Sequence, residues 1–291
     1  MNPISRNTST QATLWNGSAG LAWVAAQAML DRMFMPFEAW LVDRIGAEAG
    51  LSVLDVGCGT GSTTLALARR AGEAGYCVGV DVSAPMIALA QARAEREGST
   101  ARFIEADAQT HRFAPATFDR IVSRFGVMFF DDPLAAFANL RRAAKAGGEL
   151  RCIAWRGAAD NPFMTTAERA AAPLLPNLPA RRPDGPGQFS FADRHRVANL
   201  LAAGGWAEIE IQPVDIDCTL PEPELVNYFS RLGPVGLALQ ALDEPARLSV
   251  IESVRTAFEP YVHGAEVRYT AACWSVGARA LPAPASGVFP V

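Results

Sequence analysis

The chain has 291 residues, half of them hydrophobic, and a formal net charge of −4 from 26 basic and 30 acidic residues. That hydrophobic share suffices for a full core, and the length fits one large or two modest domains. No run of basic residues exceeds two, and Lys145 is the one lysine in the sequence, so the concentrated basic face that binds nucleic acid is not expected.

The five cysteines are scattered, form no C-x-x-C pair and are odd in number, which argues against both a disulfide framework and a zinc site. No apolar run reaches 18 residues, so no membrane span is predicted. Residues 21–30 resemble the apolar part of a signal peptide, but they lack a strongly basic preceding segment and continue into Asp31 and Arg32. We therefore expect a helix there and a cytoplasmic protein.

The N-terminal region combines a polar start with an apolar helical pattern. Residues 1–11 are rich in Ser, Thr and Asn, and we expect them to be mobile. Residues 18–46 predict helix, which Pro36 is expected to interrupt so that a second helix begins there. Trp15 and Trp23 open this region, and they would either pack into the core or belong to a flap over a ligand.

A buried strand followed by three glycines is the central feature of the sequence. Residues 51–56 form an apolar run without helical period, which predicts a strand buried on both faces. Gly57, Gly59 and Gly61 follow, and a helical pattern begins at Ser62. Glycines permit tight turns and let a ligand approach bare backbone. Strand, turn and helix together predict the nucleotide-binding half of a doubly wound sheet.

Further strands are predicted at regular intervals, over residues 76–82, 101–106, 118–123 and 149–155. Counted with the strand over residues 51–56, these make five strands. The second, over residues 76–82, ends in Asp81, which stands 20 positions after Gly61. An acid at that place accepts hydrogen bonds from ribose hydroxyls. Dinucleotide sites and sites for other nucleoside cofactors both use such an acid, so Asp81 indicates a nucleoside without deciding between these two classes.

The glycine spacing separates these two cofactor classes. A dinucleotide fingerprint is G-x-G-x-x-G, whereas Ser62 stands here where its third glycine would be. The pattern D-x-G-x-G-x-G, which begins at Asp55, resembles motif I of class I S-adenosylmethionine-dependent methyltransferases, in their small-molecule, UbiE-like branch. A second resemblance is the run F-D-x-I-V…P…A-x-x-x-L-x-R-x-x-K-x-G-G that begins at Phe118, and together the two cover residues 51–155.

The resemblance implies an α/β fold: a doubly wound, Rossmann-like, seven-stranded sheet whose last strand is antiparallel, with N-terminal helices and a helical lid insertion. It also implies S-adenosyl-L-methionine as cofactor and S-adenosyl-L-homocysteine as product. The residues that it places at the cofactor are Asp55, Gly57, Cys58, Gly59, Gly61, Asp81, Val82, Met86, Asp107, Ala108, Arg124 and Phe125. A nicotinamide-dependent oxidoreductase and a non-catalytic S-adenosylmethionine-binding protein are the alternatives.

The second half of the chain adds insertions to this core. Residues 161–188 are proline-rich and predict a long loop, residues 191–203 a helix, 206–212 a strand, 222–260 two or more helices and 267–276 the last strand. The tail from residue 281 should lack regular structure. The predicted segments are the N-terminal tail and helices (1–48), the cofactor core (49–156), a Pro-rich insertion (157–188), a core helix and strand (189–212), a helical lid (213–265) and the last strand with the tail (266–291).

The sequence gives no catalytic residue. The three histidines are His111, His195 and His263, and His263, before the last strand, is carried forward as a candidate base only. The insertions are rich in apolar residues, so the predicted substrate is a small aromatic or largely apolar metabolite. Its predicted contacts are Trp15, Met128, Phe163, Tyr228, Phe229 and Leu232. The acceptor atom stays open, as does a homodimer.

Overall fold

A doubly wound sheet forms the centre of the protein in the computed structural model, which describes residues 10–46, 49–179, 181 and 185–282. Its strands follow one another in the spatial order β3-β2-β1-β4-β5-β8-β6, with the short β7 paired to β8. The strands are β1 (Ser52–Val56), β2 (Tyr76–Asp81), β3 (Arg102–Glu105), β4 (Phe118–Arg124), β5 (Ala144–Trp155), β6 (Ala207–Pro221), β7 (Val262–His263) and β8 (Glu266–Arg279).

The strand directions confirm the predicted fold class. Strands β1 to β5 are parallel, and β8 lies antiparallel between β5 and β6. The chain runs from β1 outward to β2 and β3, then returns so that β4 pairs with the other side of β1. At such a reversal the loops diverge and leave a crevice at the carboxyl ends of the two strands. Ligands are therefore expected beyond Val56 and Arg124.

The helices cover this sheet and extend beyond its carboxyl edge. Helices α4 and α5 pack on the β1–β3 half, whereas α6 and α8 pack on each other and against β5 and β6. The described helices are α1 (Thr10–Asn16), α2 (Ser18–Ala25), α3 (Gln27–Ile45), α4 (Ser62–Ala71), α5 (Ala84–Glu97), α6 (Pro133–Ala143), α7 (Pro162–Ala171), α8 (Arg194–Ala203), α9 (Leu225–Arg231), α10 (Gly233–Leu239) and α11 (Glu244–Ala257).

The predicted break at Pro36 is wrong. Helix α3 continues through this proline, and the break falls at Ala26 instead. A proline inside a helix removes one backbone hydrogen bond. Met33, Phe37 and Leu41 lie on one stripe of α3 and are all fully buried, so packing on the sheet outweighs that local cost. Of the predicted mobile start, residues 1–9 lie outside the described part of the chain, whereas Thr10 and Gln11 belong to helix α1, so the prediction is wrong for these two.

Two other boundaries differ from the expected ones. Strand β6 continues to Pro221, so residues 213–221, expected in the lid, pair with β8 instead. Its side chains alternate between buried and exposed from Ile216 to Leu220, which is the period of a strand packed on one face. Helix α7 occupies part of the predicted proline-rich loop, because it begins at Pro162 and buries one apolar face.

The helices beyond the sheet contribute an aromatic cluster, the lid core, to the main hydrophobic core of the protein. It consists of Phe163 from α7, Phe229 from α9, Phe258 after α11 and Tyr269 from β8. The rings of Phe163 and Tyr269 stack with centroids 3.9 Å apart, and those of Phe229 and Phe258 stack at 5.8 Å. Within the described residues, no helix is both long enough and apolar enough to cross a membrane.

Candidate cofactor site

A pocket opens at the carboxyl ends of β1, β2 and β4, where the strand order reverses. Its empty volume, counted together with the open mouth, is about 790 Å³. The pocket is lined by Gln11, Trp15, Trp23, Val56, Gly57, Gly59, Val80, Asp81, Val82, Met86, Ala106, Asp107, Ala108, Gln109, Arg124, Phe125, Gly126, Phe129 and Phe130.

The glycine turn forms the floor of this pocket. Gly57 has a φ of +70° and its N–H donates to the carbonyl of Val80 over 2.8 Å, which ties the turn to β2. A Cβ at position 57 would lie 2.5 Å from Cα of Gly126, so the turn and the loop after β4 touch backbone to backbone. Only glycine meets both conditions, and without side chains the turn lets a ligand approach its backbone closely.

Asp81 presents a carboxylate at the tip of β2. One of its oxygens accepts from the N–H of Gly59 at 2.8 Å, and the other accepts from the N–H of Ser83 at 2.9 Å. Burial raises the pKa of this carboxyl, whereas the backbone donors oppose that shift. The two amides fix the orientation of the carboxylate, and each oxygen retains a lone pair for a hydroxyl donor. The side chain is therefore preorganised to accept hydrogen bonds from a diol.

The next strand supplies a second acid. Asp107 follows β3, and its oxygens accept from the N–H of Gln109 at 2.9 Å and from the Gln109 side-chain amide at 3.0 Å. The amide oxygen of Gln109 accepts from the N–H of Asp132 at 2.5 Å, so Gln109 links this acid to the start of α6. Buried Met86 lines the same pocket from α5. Met86 thus offers an apolar surface that suits a purine ring, and Asp107 offers a fixed carboxylate that suits the amine on that ring.

Arg124 supplies a positive charge at the end of β4. Its guanidinium donates to the hydroxyls of Ser62 at 2.8 Å and Thr63 at 3.0 Å, at the N-terminus of α4. The next residue, Phe125, has a φ of +70°, a strained conformation for an aromatic residue, and its ring stacks on Trp155 at 4.6 Å. A guanidinium that lines the pocket favours a ligand carboxylate.

Asp55 lies behind the glycine turn and does not line the pocket. Its side chain is 1% exposed and accepts from the hydroxyl of Thr64 at 2.7 Å. Burial raises the pKa of this carboxyl to about 6, while the bond from Thr64 and the charge of Arg124 oppose the rise. The structure thus gives Asp55 a bond that ties β1 to α4. Its predicted direct contact with a cofactor stays a prediction.

Aromatic rings from the N-terminal helices and the loop after β4 form the remaining wall. The ring of Trp15 meets that of Phe129 edge to face at 5.4 Å and that of Trp23 at 5.8 Å. Phe130 completes this wall. Rings in such edge-to-face contacts hold one another in place. The pocket therefore combines the polar side chains of Asp81, Asp107 and Arg124 with an aromatic wall.

The structure brings together about half of the site residues that the sequence predicts. Those that line the pocket are Trp15, Gly57, Gly59, Asp81, Val82, Met86, Asp107, Ala108, Arg124 and Phe125. Those that do not are Asp55, Cys58, Gly61, Met128, Phe163, Tyr228, Phe229, Leu232 and His263. Gly61 instead packs on Phe103. The rings of Phe163 and Phe229 belong to the lid core, and His263 is exposed in β7.

Other pocket residues lie outside the sequence prediction. Gln109 stands two positions after Asp107, a spacing at which its side chain can bond back to the acid, and this is the signal that would have indicated it. Phe129 and Phe130 follow the predicted crevice strand directly. Gln11 gave no signal, because its position depends on how α1 docks on the rest of the protein.

Three comparisons with known proteins bear on this site. Residues 53–148 match the family model described as methyltransferase domain. An uncharacterized protein of Mycobacterium tuberculosis strain H37Rv is 34% identical over 180 residues, which are 60% of this chain and 61% of that protein. A demethylmenaquinone methyltransferase of Lactococcus lactis is 31% identical over 118 residues, 40% of this chain and 47% of that enzyme.

A solved structure is similar over almost the whole chain. It is phosphoethanolamine N-methyltransferase 2 of Haemonchus contortus in complex with S-adenosyl-L-methionine, with a TM-score of 0.58, 16% identity, and coverage of 97% of this chain and 62% of that chain. At this identity the likeness shows the fold alone. This chain spans less than two thirds of the length of the two relatives above.

Proposed function

Because residues 53–148 form a domain of the class I S-adenosylmethionine-dependent methyltransferase family, we propose that the chain transfers a methyl group from this cofactor to a small, largely apolar acceptor. S-adenosylmethionine is the cofactor of that family. The observation that carries the proposal is the Asp81 carboxylate, which faces the pocket beside the bare backbone of Gly57 and Gly59.

The pocket residues fit the parts of this cofactor one by one. Asp81 would accept from the ribose hydroxyls, as an acid at the tip of the second strand does in nucleoside sites. Met86 and Asp107 would contact the adenine ring and its amine. Arg124 would hold the carboxylate of the methionine part, and the carbonyl groups of the glycine turn would accept from its ammonium.

The chemistry needs alignment more than a protein acid or base. The bound cofactor supplies an activated methyl group on a sulfonium. Among the described residues that line the pocket, the titratable side chains are Asp81, Asp107 and Arg124, all occupied by proposed contacts with the cofactor. The protein would then accelerate the reaction by orienting the acceptor and excluding water, which can lower a barrier by roughly 7–11 kcal/mol. We expect the acceptor atom to enter already ionised or with a free lone pair.

The aromatic wall supports an aromatic or otherwise apolar acceptor. Trp15, Trp23, Phe129 and Phe130 line the pocket together with its polar side chains, and large rings bind planar apolar groups. The relative from Lactococcus lactis is a demethylmenaquinone methyltransferase, but it aligns with 40% of this chain only. The acceptor class therefore depends on the wall, and the predicted contacts from Met128 and the lid stay a prediction.

Thermal unfolding with separate cofactors tests the first part of the proposal. S-adenosylmethionine or S-adenosylhomocysteine at a hundredfold excess over its dissociation constant should stabilise the fold by about 2.7 kcal/mol. NADH should leave the melting temperature unchanged. A shift with NADH and none with either sulfur compound would favour the oxidoreductase alternative.

Methyl transfer to a panel of phenolic, amine and acidic acceptors tests the second part. Phe129→Ala and Trp15→Ala should change which acceptors are used, because both rings line the pocket. Phe163→Ala, in the lid core, tests the predicted contact of that ring in the same assay: a changed choice of acceptor would support the contact, and an unchanged choice in a folded variant would contradict it. Transfer to highly charged acceptors alone would contradict the apolar acceptor. Cofactor binding without transfer to any acceptor would favour a non-catalytic binding protein.

A further inference from the structure

Residues 10–25, the N-terminal cover, dock on the segment that directly follows Asp81. The side chain of Asn16, at the end of α1, bonds to one backbone carbonyl and one backbone N–H of this segment. Its amide nitrogen donates to the carbonyl of Val82 at 2.8 Å, and its amide oxygen accepts from the N–H of Ala84 at 2.8 Å. In return, the hydroxyl of Ser83 donates to the carbonyl of Trp15 at 2.7 Å. Three hydrogen bonds thus join three successive residues to the cover.

The fit between cover and core is close at this point. Gly20 of α2 lies against the same junction, where a Cβ would come within 1.9 Å of the carbonyl of Trp15 and 2.9 Å of the hydroxyl of Ser83. Asn16 also donates to the carbonyl of Ala12 at 2.9 Å, which fixes its side chain relative to α1. The bonds of Asn16 are exposed to solvent, so breaking them exchanges them for bonds to water at modest cost, whereas the bond from Ser83 to Trp15 is partly buried.

The docking segment is also part of the cofactor site. Asp81 and Val82 line the pocket, and the N–H of Ser83 holds the Asp81 carboxylate. Trp15 stands next to Asn16 in the chain and places its ring in the pocket wall. One segment of four residues therefore contacts the expected ribose position on one side and the cover on the other.

We infer that Asn16 is a positioning residue that couples closure of the N-terminal cover to binding of the cofactor. This inference rests on the proposed function. A cofactor that bonds to Asp81 orders the segment on which Asn16 docks, and the docked cover brings Trp15 over the pocket and excludes water from it. Because the coupling is a free energy between two sites, it acts in both directions: the cofactor stabilises the closed cover, and the closed cover raises cofactor affinity.

Calorimetry with S-adenosylhomocysteine on the full chain measures one direction. Asn16→Ala removes both bonds to the docking segment, and we expect roughly a three- to tenfold weaker affinity. Ser83→Ala removes the bond to Trp15 but keeps the N–H that holds Asp81, so it should weaken binding in the same direction. Asn227→Ala is the matched control, because Asn227 in α9 makes an exposed bond to Glu224 away from the pocket and should leave the affinity unchanged.

Hydrogen exchange measures the other direction and separates coupling from a simple helix cap. In the wild type, S-adenosylhomocysteine should slow amide exchange in residues 10–25, and in Asn16→Ala this protection should be reduced while the sheet remains protected. Wild-type affinity and wild-type protection in a folded Asn16→Ala variant would overturn the coupling and leave the proposed function intact. A wild type that fails to bind S-adenosylhomocysteine would overturn both.

Discussion

The substitution Asp81→Asn tests the cofactor site most sharply, because it changes charge and hydrogen bonding with almost no change in shape. In the wild type both carboxylate oxygens accept from backbone N–H groups, those of Gly59 and Ser83. The amide replaces one oxygen by an NH₂ group, which would face an N–H donor and could no longer accept from a ribose hydroxyl. The variant therefore loses at least one bond between the site and the cofactor.

The expected effect on binding is large compared with that on stability. A hydrogen bond to a charged group contributes roughly 1.5–3 kcal/mol, so losing one should weaken binding of S-adenosylhomocysteine by roughly 10- to 150-fold. Burial raises the pKa of Asp81, so removing its charge also relieves a desolvation cost. We therefore expect the free energy of unfolding without ligand to change by about 1–2 kcal/mol at most.

Isothermal calorimetry gives the affinity, and urea unfolding gives the stability of the same variant. Asp119→Asn is the control, since the Asp119 carboxylate also accepts from a backbone N–H, that of Ser52 at 3.0 Å, and from Lys145 at 2.8 Å, at the opposite end of the strands. It should lose some stability and keep its affinity. A folded Asp81→Asn variant with unchanged affinity would refute the assignment of Asp81 to the ribose.

Three further substitutions test the roles of Asp55 behind the glycine turn, Gly57 in the turn and Phe229 in the lid core. The pKa of Asp55 rises from 3.8 to about 6 on folding, so the folded state holds this proton more tightly than the unfolded state does. The free energy of unfolding of the wild type should therefore fall as the pH rises from about 4 to about 6. Asp55→Asn should lack that loss, so its stability relative to the wild type should increase by on the order of 3 kcal/mol toward pH 7, and a pH-independent difference in urea unfolding would contradict this. Gly57→Ala should cost more than about 1–3 kcal/mol and weaken S-adenosylhomocysteine binding, because it adds strain at φ +70° to a contact 2.5 Å from Gly126; an unchanged melting temperature would speak against it. Phe229→Ala removes a ring of the lid core and should lower the free energy of unfolding by about 3–5 kcal/mol. Its calorimetric affinity for S-adenosylhomocysteine should be unchanged, and a shifted affinity would place this ring at the cofactor site after all.

Much of the fold is local in origin, which is why the sequence predicts it. The apolar run before Gly57, the helix that begins at Ser62 and the acid at the end of β2 each depend on neighbours in the chain. The continuous helix through Pro36 does not, because its stability comes from Met33 and Phe37 packed on a distant sheet. Tertiary packing overrides the local signal there.

The site divides in the same way. Gly59, Asp81 and Asp107 were predictable, since the ends of parallel strands meet at one edge of a sheet. The direction in which the Asp55 side chain points was not, because a residue inside a strand can face either side and only the bond from Thr64 shows which. The docking of Asn16 on Val82 joins residues 66 positions apart, and nothing in the local sequence indicates it.

A crystal structure of the full chain with S-adenosylhomocysteine tests the central claim most directly. We predict that the ligand occupies the pocket between β1, β2 and β4, with its ribose hydroxyls on Asp81, its adenine beside Met86 and Asp107, and its carboxylate toward Arg124. Trp15 should close over it. Electron density for the ligand elsewhere on the protein, or a ribose that makes no contact with Asp81, would contradict the account.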